Sequence, residues 1–120
     1  MKKILIVDDS ASIRDVLSFV LKEEGFEVLV GEDGVDAQQH LNGQQLNLII
    51  TDLYMPNMDG IELIKKIRSM PEYERTPILF LTTESQNEKK NEAKEAGATG
   101  WIVKPFVQKN LISAIMKVMK

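Results

Sequence analysis

Four charged side chains and one hydroxyl group stand at or just after the ends of apolar runs that are far apart in the chain. They are Asp8 and Asp9, Asp52, Thr82 and Lys104. Carboxylate oxygens are ligands that Mg²⁺ prefers, and this ion usually takes only one or two of them from a protein. A metal beside a carboxylate can assist phosphoryl transfer to that carboxylate, while an ammonium group holds another phosphoryl oxygen. These residue types therefore predict a divalent-metal and phosphoryl site, provided that the fold brings them together.

Strand-like and helix-like patterns alternate along the whole chain, and each boundary carries a cap or turn residue. The strands are predicted at roughly 3–8, 26–31, 47–52, 77–82 and 99–104. The helices are predicted at roughly 11–24, 34–42, 60–69, 86–96 and 108–119. The first, third and fourth strands are continuous apolar runs, which indicates burial on both faces. Right-handed crossovers then predict an α/β fold, with a five-stranded parallel sheet and helices on both sides.

The carboxyl ends of parallel strands lie along one edge of a sheet, where open α/β folds bind their ligands. The three acids, Thr82 and Lys104 should therefore converge there. An acid after a strand often only caps the next helix, and this alternative fits Asp8 or Asp9 taken singly. Three acids that face one lysine fit a binding site better. We predict Asp52 as the phosphoacceptor with Mg²⁺ as cofactor, and Lys104 and Thr82 as partners of the phosphoryl oxygens.

Length, charge and cysteine content exclude other classes of protein. A chain of 120 residues forms one domain. The net charge of −3 argues against nucleic acid as a partner. With no cysteine, disulfides, thiol catalysis and zinc–thiolate sites are excluded. The chain runs from its first residues straight into a strand that is too short for the apolar part of a signal peptide or for a membrane span, so we expect a cytoplasmic protein without a membrane partner.

These residues stand in motifs that resemble the receiver domains of bacterial two-component signalling. The motifs are ILIVDDS at 4–10, TDLYMPNMDG at 51–60, LTT at 81–83, AGA at 96–98 and VKPF at 103–106. The chain as a whole is similar to the single-domain, CheY-type response regulators. The resemblance implies a doubly wound, flavodoxin-like fold with strand order 2-1-3-4-5. It also implies one receiver domain over 1–120 and no output domain.

The resemblance further implies roles for the acidic residues. Asp52 would accept a phosphoryl group from the phosphohistidine of a histidine kinase. Asp9, Asp52 and the backbone carbonyl of Tyr54 would bind Mg²⁺, and Asp8 would act mainly through water. A cis peptide before Pro105 would turn the lysine back into the pocket, although only about 5% of X–Pro bonds are cis.

Thr82 and Lys104 bind the phosphoryl group in this family, and Trp101 occupies its aromatic switch position. Phosphorylation is expected to draw the Thr82 hydroxyl inward, so that Trp101 turns into the space that it leaves. Tyr54 stands where chemotaxis members often carry Asn, and Glu84 stands two residues after the threonine. Because these two positions flank the path of the hydrolytic water, we predict that they tune the lifetime of the phosphoaspartate. The alternative is that both side chains point to solvent.

The partner-binding face is expected on the fourth helix, the fifth strand and the last helix, with Lys90 and Trp101 among its residues. The fourth helix has only alanines as apolar residues, so it can gain little from packing and should be among the less stable elements. On the last helix Ile112, Met116 and Met119 form a second apolar stripe. This stripe is either part of a wide core face or an exposed docking patch that includes Ile112 and Met116.

The residues favour a phosphorylation-controlled binding module that catalyses only its own phosphorylation and dephosphorylation. A histidine kinase would be the phosphodonor and a phosphatase a further partner. By analogy the pathway is chemotaxis, with the flagellar motor switch as candidate target and a monomer or weak phospho-dependent dimer as the expected state. The alternative is a phosphate sink or relay intermediate without a target. A flavodoxin-like flavin carrier is disfavoured because Asp8 and Asp9 would repel its phosphate, and an aspartyl-phosphate hydrolase because Tyr54 occupies the place of its general acid.

Overall fold

The structure is a computed structural model that describes residues 1–119. Within this range one parallel sheet is formed by β1 (Lys3–Val7), β2 (Glu27–Gly31), β3 (Leu48–Thr51), β4 (Ile78–Thr82) and β5 (Gly100–Val103). The helices are α1 (Ala11–Glu23), α2 (Gly34–Ala37), α3 (Gly60–Arg68), α4 (Asn87–Ala96) and α5 (Gln108–Val118). The strand order is β2-β1-β3-β4-β5. The predicted fold class and strand order are therefore confirmed.

The sheet lies between two apolar layers, because successive side chains of a strand point to opposite faces. Ile49 and Phe80 pack in the layer that α3 contributes to, with Ile64. Ile50 and Leu81 pack in the other layer, which also contains residues of α1 and α5. All residues of β3 and β4 are buried. Burial of such a side chain contributes about 1.5–3 kcal/mol, and burial on both faces explains why these strands are apolar without alternation.

Most predicted helices begin and end within one or two residues of their predicted bounds, and the caps expected for α1 are present. Ser10 caps α1, with its hydroxyl accepting from the Ile13 amide at 3.4 Å, and Gly25 follows that helix with φ of +90°. The predicted continuous helix at 34–42 is wrong. It ends as α-helix at Ala37 and continues only as a 3₁₀ turn over Gln38–His40. Within the turn no residue is buried, so packing does not extend the helix.

Candidate functional site

The three predicted acids lie together at the carboxyl edge of the sheet. The amide of Asp8 donates to Gly31 O at 3.1 Å, and the amide of Asp52 donates to Val7 O at 2.9 Å, so the ladder hydrogen bonds place both residues. Carboxylate oxygens of Asp8, Asp9 and Asp52 lie within 4.8 Å of one another. Asp8 is buried, Asp52 half-buried and Asp9 exposed. The topology thus gathers three negative charges from two neighbouring strands.

Lys104 supplies the positive charge of the cluster. Its ammonium Nζ donates to Asp8 Oδ2 at 2.8 Å and to Asp52 Oδ2 at 3.1 Å. The Lys104 amide donates to Thr82 O at 2.7 Å, and the Lys104–Pro105 peptide is cis. The ammonium group therefore bridges the two inner carboxylates. Three carboxylates and one ammonium leave an excess of negative charge, which a cation would offset.

Burial acts in opposite directions on the two members of this ion pair. Burial raises the pKa of Asp8, and this outweighs the lowering by the hydrogen bonds from Lys104 and the Ser10 amide. Burial lowers the pKa of Lys104, but the hydrogen bonds to Asp8 and Asp52 outweigh it, so that its pKa is raised overall. The lysine consequently keeps its proton at neutral pH and stays available to an anionic group.

The donor set fits a hard divalent cation. Asp8 is largely committed, since Oδ1 accepts from the Ser10 amide at 2.9 Å and Oδ2 accepts from Lys104. Asp52 Oδ1 accepts from the Leu53 amide at 2.7 Å, and the exposed Asp9 opens its oxygens to solvent. Such a set of oxygen ligands, with room for water, suits Mg²⁺. The Tyr54 carbonyl belongs to the loop that follows Asp52.

Thr82 and Trp101 are connected through the backbone of Glu84. Thr82 ends β4 and is fully buried, and its hydroxyl accepts from the Glu84 amide at 3.4 Å. The indole N–H of Trp101 donates to Glu84 O at 2.9 Å. The ring of Trp101 is half-buried and its centroid lies 5.0 Å from that of Phe80. The indole is therefore held both by packing and by a hydrogen bond.

Tyr54 and Glu84 contact each other directly. The Tyr54 hydroxyl donates to Glu84 Oε1, while Oε2 accepts from the amides of Ser85 at 3.2 Å and Gln86 at 3.1 Å. The bond from Tyr54 lowers the pKa of Glu84, and the same bond raises the pKa of Tyr54. Tyr54 nevertheless remains exposed, so both side chains reach solvent while they contact each other, and their effect on the lifetime of the phosphoaspartate stays a prediction. The pair bridges the loops that follow β3 and β4, a contact that the sequence did not predict.

The expected partner face exposes fewer apolar side chains than a docking patch formed by the whole second stripe of α5 would. Lys90 and Trp101 line a groove of about 280 Å³ between α4 and β5. Met116 is exposed, but Ile112 and Met119 pack against the core layer of α1 and α5. Ile112 and Met119 are only partly buried in this layer, so the docking role of Ile112 and Met116 stays a prediction. The wide-core interpretation fits these two residues.

Sequence reasoning missed a contact between α2 and the loop before α3. Asn57 Nδ2 donates to Asp33 Oδ2 at 2.7 Å, and Asn57 has φ of +70°. Two signals were present: an Asp–Gly pair at the start of a helix, and an Asn, which tolerates left-handed backbone, inside a turn. Neither signal says that these two residues, which lie 24 positions apart, meet in space.

A parallel α/β sheet with an acidic cluster and a lysine at its carboxyl edge defines the class of receiver domains. The family model described as response regulator receiver domain matches residues 4–116. The chain belongs to this family, whose members act as phosphorylation-activated switches in two-component signalling. Within the described residues, no helix combines the length and apolar character needed to cross a bilayer.

The chain is similar to individual receivers over nearly its whole length. Chemotaxis protein CheY-3 of Vibrio cholerae is 38% identical over 117 residues, which cover 97% of this chain and 90% of that protein. The structure of chemotaxis response regulator CheY4 of V. cholerae matches with a TM-score of 0.93 and 45% identity, covering 98% of both chains. The receiver domain of a signal transduction histidine kinase from Syntrophus aciditrophicus matches with a TM-score of 0.90 and 30% identity, covering 99% of this chain and 90% of that chain. The chain is thus a CheY-like receiver.

Proposed function

We propose that this chain is the phosphorylation switch of a chemotaxis-type two-component pathway, with Asp52 as its phosphoacceptor. The observation that supports this most is the position of the Asp52 carboxylate. It lies within 4.8 Å of two further carboxylates and 3.1 Å from the Lys104 ammonium. The proposed pathway rests on the relatives, which are named as chemotaxis proteins.

In the proposed reaction, an Asp52 oxygen attacks the phosphorus of a phosphohistidine on the kinase. The P–N bond breaks, and the imidazole leaves with the electron pair and takes up a proton. Asp9, Asp52 and the Tyr54 carbonyl would bind Mg²⁺, with Asp8 acting through water, and the ion would neutralise phosphoryl oxygens. To bind the phosphoryl group, the Lys104 ammonium would exchange its hydrogen bond to Asp52 Oδ2 for one to a phosphoryl oxygen.

The lifetime of the phosphoaspartate is set by water. Water attacks the phosphorus, inorganic phosphate leaves, and the Asp52 carboxylate is restored. The Tyr54–Glu84 pair bridges the loop that begins at Asp52 and the loop that follows β4, so we infer that it restricts the approach of this water. In this proposal the protein catalyses only its own phosphorylation and dephosphorylation, and a phosphatase would accelerate the second step.

The output is proposed to pass through Glu84. When the Thr82 hydroxyl binds a phosphoryl oxygen, it gives up its 3.4 Å bond from the Glu84 amide. The carbonyl of the same residue anchors the Trp101 indole. A shift of this loop therefore carries Trp101 with it, and a difference of a few kcal/mol between the two states is enough for a switch.

The partner face is proposed to consist of α4, β5 and α5. The groove of about 280 Å³ between α4 and β5 carries Lys90, Lys94 and Trp101, and Met116 lies exposed on α5. A histidine kinase is the proposed phosphodonor and the flagellar motor switch the candidate target, in the cytoplasm, without a nucleic acid or membrane partner. The protein would be a monomer or a weak phospho-dependent dimer with one receiver domain.

Acetyl phosphate and Mg²⁺ test the phosphoacceptor. Intact-mass spectrometry should show one added phosphoryl group on the wild type, none on Asp52→Asn, and an unchanged amount on Asp36→Asn, a matched change outside the cluster. Labelling of Asp52→Asn would refute the assignment. For the output, a pull-down with a phosphoryl mimic should recover a target that Met116→Glu with Lys90→Glu no longer binds. Rapid phosphotransfer from the kinase without any phospho-dependent target would favour the phosphate sink.

A further inference from the structure

We propose that Asp33 is a positioning residue for the metal site. Through Asn57 it fixes the loop between β3 and α3, which carries the Tyr54 carbonyl. This inference rests on the Mg²⁺ site of the proposed function and assigns part of its affinity to a residue outside the acidic cluster. Asp33 stands at the start of α2, on a different segment of the chain from every proposed ligand.

Both carboxylate oxygens of Asp33 are used, each for a different element. Oδ1 accepts from the Asp36 amide at 2.8 Å and so caps α2. Oδ2 accepts from Asn57 Nδ2 at 2.7 Å. The residue is 9% exposed, and the bond from the Asp36 amide, followed by the bond from Asn57, lowers the pKa of its carboxyl. One buried carboxylate thereby ties the tip of the β3–α3 loop to the start of α2.

The loop needs such a tie because its backbone is unusual at the point of contact. Asn57 has φ of +70°, a left-handed conformation that costs an L-residue roughly 1–2 kcal/mol, less for Asn. The Met58 amide donates to Pro56 O at 2.8 Å, so the chain turns sharply around Asn57. A side-chain hydrogen bond to a buried carboxylate offsets the conformational cost of this turn.

Packing supports the same contact. A Cβ atom on Gly34 would lie only 2.8 Å from Met58 Cγ, so Met58 occupies the space above this glycine. Gln38 Nε2 also lies 3.9 Å from the sulfur of Met58. The start of α2 and the tip of the loop therefore fit against each other through a hydrogen bond and an apolar contact.

The ends of the loop are fixed as well, which makes the position of its tip matter for the metal site. The Gly60 amide donates to Leu53 O at 2.8 Å, and the Leu53 amide donates to Asp52 Oδ1 at 2.7 Å. The segment from 53 to 60 is thus a closed loop that begins at the phosphoacceptor and is held at its tip by Asp33. Loss of the tip contact makes the backbone that includes the Tyr54 carbonyl more mobile. Cation binding must then order this backbone, and the entropy lost in doing so lowers the affinity for the cation.

The test is a titration of the whole protein with MgCl₂ by isothermal titration calorimetry. Asp33→Ser keeps a residue that caps helices but cannot reach Asn57, and Asn57→Gly keeps the positive φ but loses the amide. Each change should raise the Kd for Mg²⁺ by about three- to tenfold, at or below the lower end for residues that support metal ligands. The double variant should bind no more weakly than the weaker single variant, because both changes remove one interaction.

Asp36→Ser is the matched control. It removes a carboxylate from the same helix, where Asp36 accepts from the Glu32 amide at 2.9 Å, and its Kd should stay near that of wild type. An equal increase in Kd for Asp33→Ser and Asp36→Ser would reduce the effect to net charge and overturn the proposal. A lower Tm of Asp33→Ser with unchanged Kd in both Asp33→Ser and Asn57→Gly would also overturn it.

Mg²⁺ binding by wild type and by Asp9→Asn distinguishes failure of the role of Asp33 from failure of the metal site itself. Wild type should bind Mg²⁺ and Asp9→Asn should bind it at least tenfold more weakly. If both results are obtained while the Asp33 and Asn57 variants bind as wild type, the metal site stands and the inference fails. If wild type itself does not bind Mg²⁺, the metal site and the inference fail together. Should Asp33→Ser not fold, Asn57→Gly tests the same interaction from its other side.

Discussion

Helices α3 and α4 are neighbours on one face of the sheet, but they are held in different ways. Five residues of α3 are buried, namely Gly60, Ile61, Leu63, Ile64 and Ile67. Asp59 and Glu62 form a capping box at its start. In α4 only Ala93 is buried, and Gln86 provides no side-chain cap. Tertiary packing therefore stabilises α3, whereas α4 gains little from packing and is held mainly by contacts at its ends.

This difference corresponds to the loops that precede the two helices. The loop before α3 begins at Asp52 and contributes to the acidic site, where a fixed geometry would favour the proposed metal binding. The loop before α4 contains Glu84 and connects Thr82 with Trp101. Elements that move in a switch come from the less stable part of a fold. We expect α4 to respond to phosphorylation while α3 keeps its place.

The largest effect should follow from opening a cavity under α3. Leu63 is 0% exposed, and Leu63→Ala should lower the free energy of unfolding by about 2–5 kcal/mol. Ala93→Gly at the single buried position of α4 should lower it by only about 1 kcal/mol, mainly through helix propensity. Urea denaturation measures both values. Equal losses in the two variants would remove the distinction between the helices.

A smaller effect should follow from releasing the C-terminal end of α4. Arg68, at the end of α3, donates to Gly97 O from Nη2 at 2.8 Å and to Tyr73 O from Nη1 at 2.8 Å. Arg68→Met keeps the apolar stem but leaves these carbonyls without their donor, which should lower stability by about 1.5–3 kcal/mol. Amide hydrogen exchange should accelerate more in α4 than in α3.

Arg75→Met is the control for this variant, because Arg75 is exposed. It should leave both the stability and the exchange pattern close to those of wild type. If Arg68→Met accelerated exchange in α3 as much as in α4, Arg68 would stabilise the whole domain rather than attach α4 to it.

Caps offer a way to make the two helices more alike. Asp59→Ala removes the capping box of α3 and should lower stability by about 1 kcal/mol. Gln86→Ser supplies α4 with a capping hydroxyl and should raise stability by about 0.5–1 kcal/mol. Thermal denaturation measures both changes. A Gln86→Ser protein with the stability of wild type would mean that the start of α4 is already fixed by Glu84, which accepts from the Gln86 amide at 3.1 Å.

The smallest effect is expected from protonation of Asp33, whose carboxylate binds Asn57 in the loop before α3. The pKa of its carboxyl is lowered from 3.8, first by the Asp36 amide and then by Asn57. A lowered folded pKa stabilises the protein above the unfolded value, and this contribution is lost as the pH falls through the folded pKa. The stability difference between wild type and Asp33→Ser should therefore be constant above about pH 5 and shrink below pH 3.8.

The increment from Gln86→Ser serves as the comparison for this pH series. Neither glutamine nor serine titrates in this range, so the α4 increment should not follow the same curve. A difference between wild type and Asp33→Ser that stays constant down to pH 3 would show that the uncharged carboxyl supports both hydrogen bonds equally well.

The sequence predicted the parts of the structure that follow from periodicity and from parallel topology. Apolar runs and caps predicted the positions of the strands. The strand ends of a parallel sheet bring Asp8, Asp52 and Lys104 to one edge, independently of the conformation of the loops. Helix α2 was predicted too long because Gln38–His40 is compatible with a helix locally but contributes no buried residue. Its end is decided by packing, which a single sequence does not contain.

The contacts that sequence reasoning missed join loops or helix ends that are far apart in the chain. Tyr54 and Glu84 lie 30 positions apart, and Arg68 and Gly97 lie 29 positions apart. Each pair depends on how one helix or loop is rotated against another. Residue type alone gives several possible partners for an exposed tyrosine such as Tyr54 or a half-buried arginine such as Arg68. These contacts are therefore visible only once the elements are packed.

The hydrogen bonds of Lys104 also bear on the order in which the domain can assemble on a ribosome. Strands β1 and β3, which bring the carboxylates together, leave the ribosome long before this lysine, which follows Asp52 by 52 positions and Asp8 by 96. Until β5 has been synthesised, closing the gap between these strands concentrates negative charge without its internal counter-charge. Contacts between distant parts of a chain also form late, because they close long loops. The nascent domain thus gains the internal counter-charge of Asp8 and Asp52 only when its last strand docks.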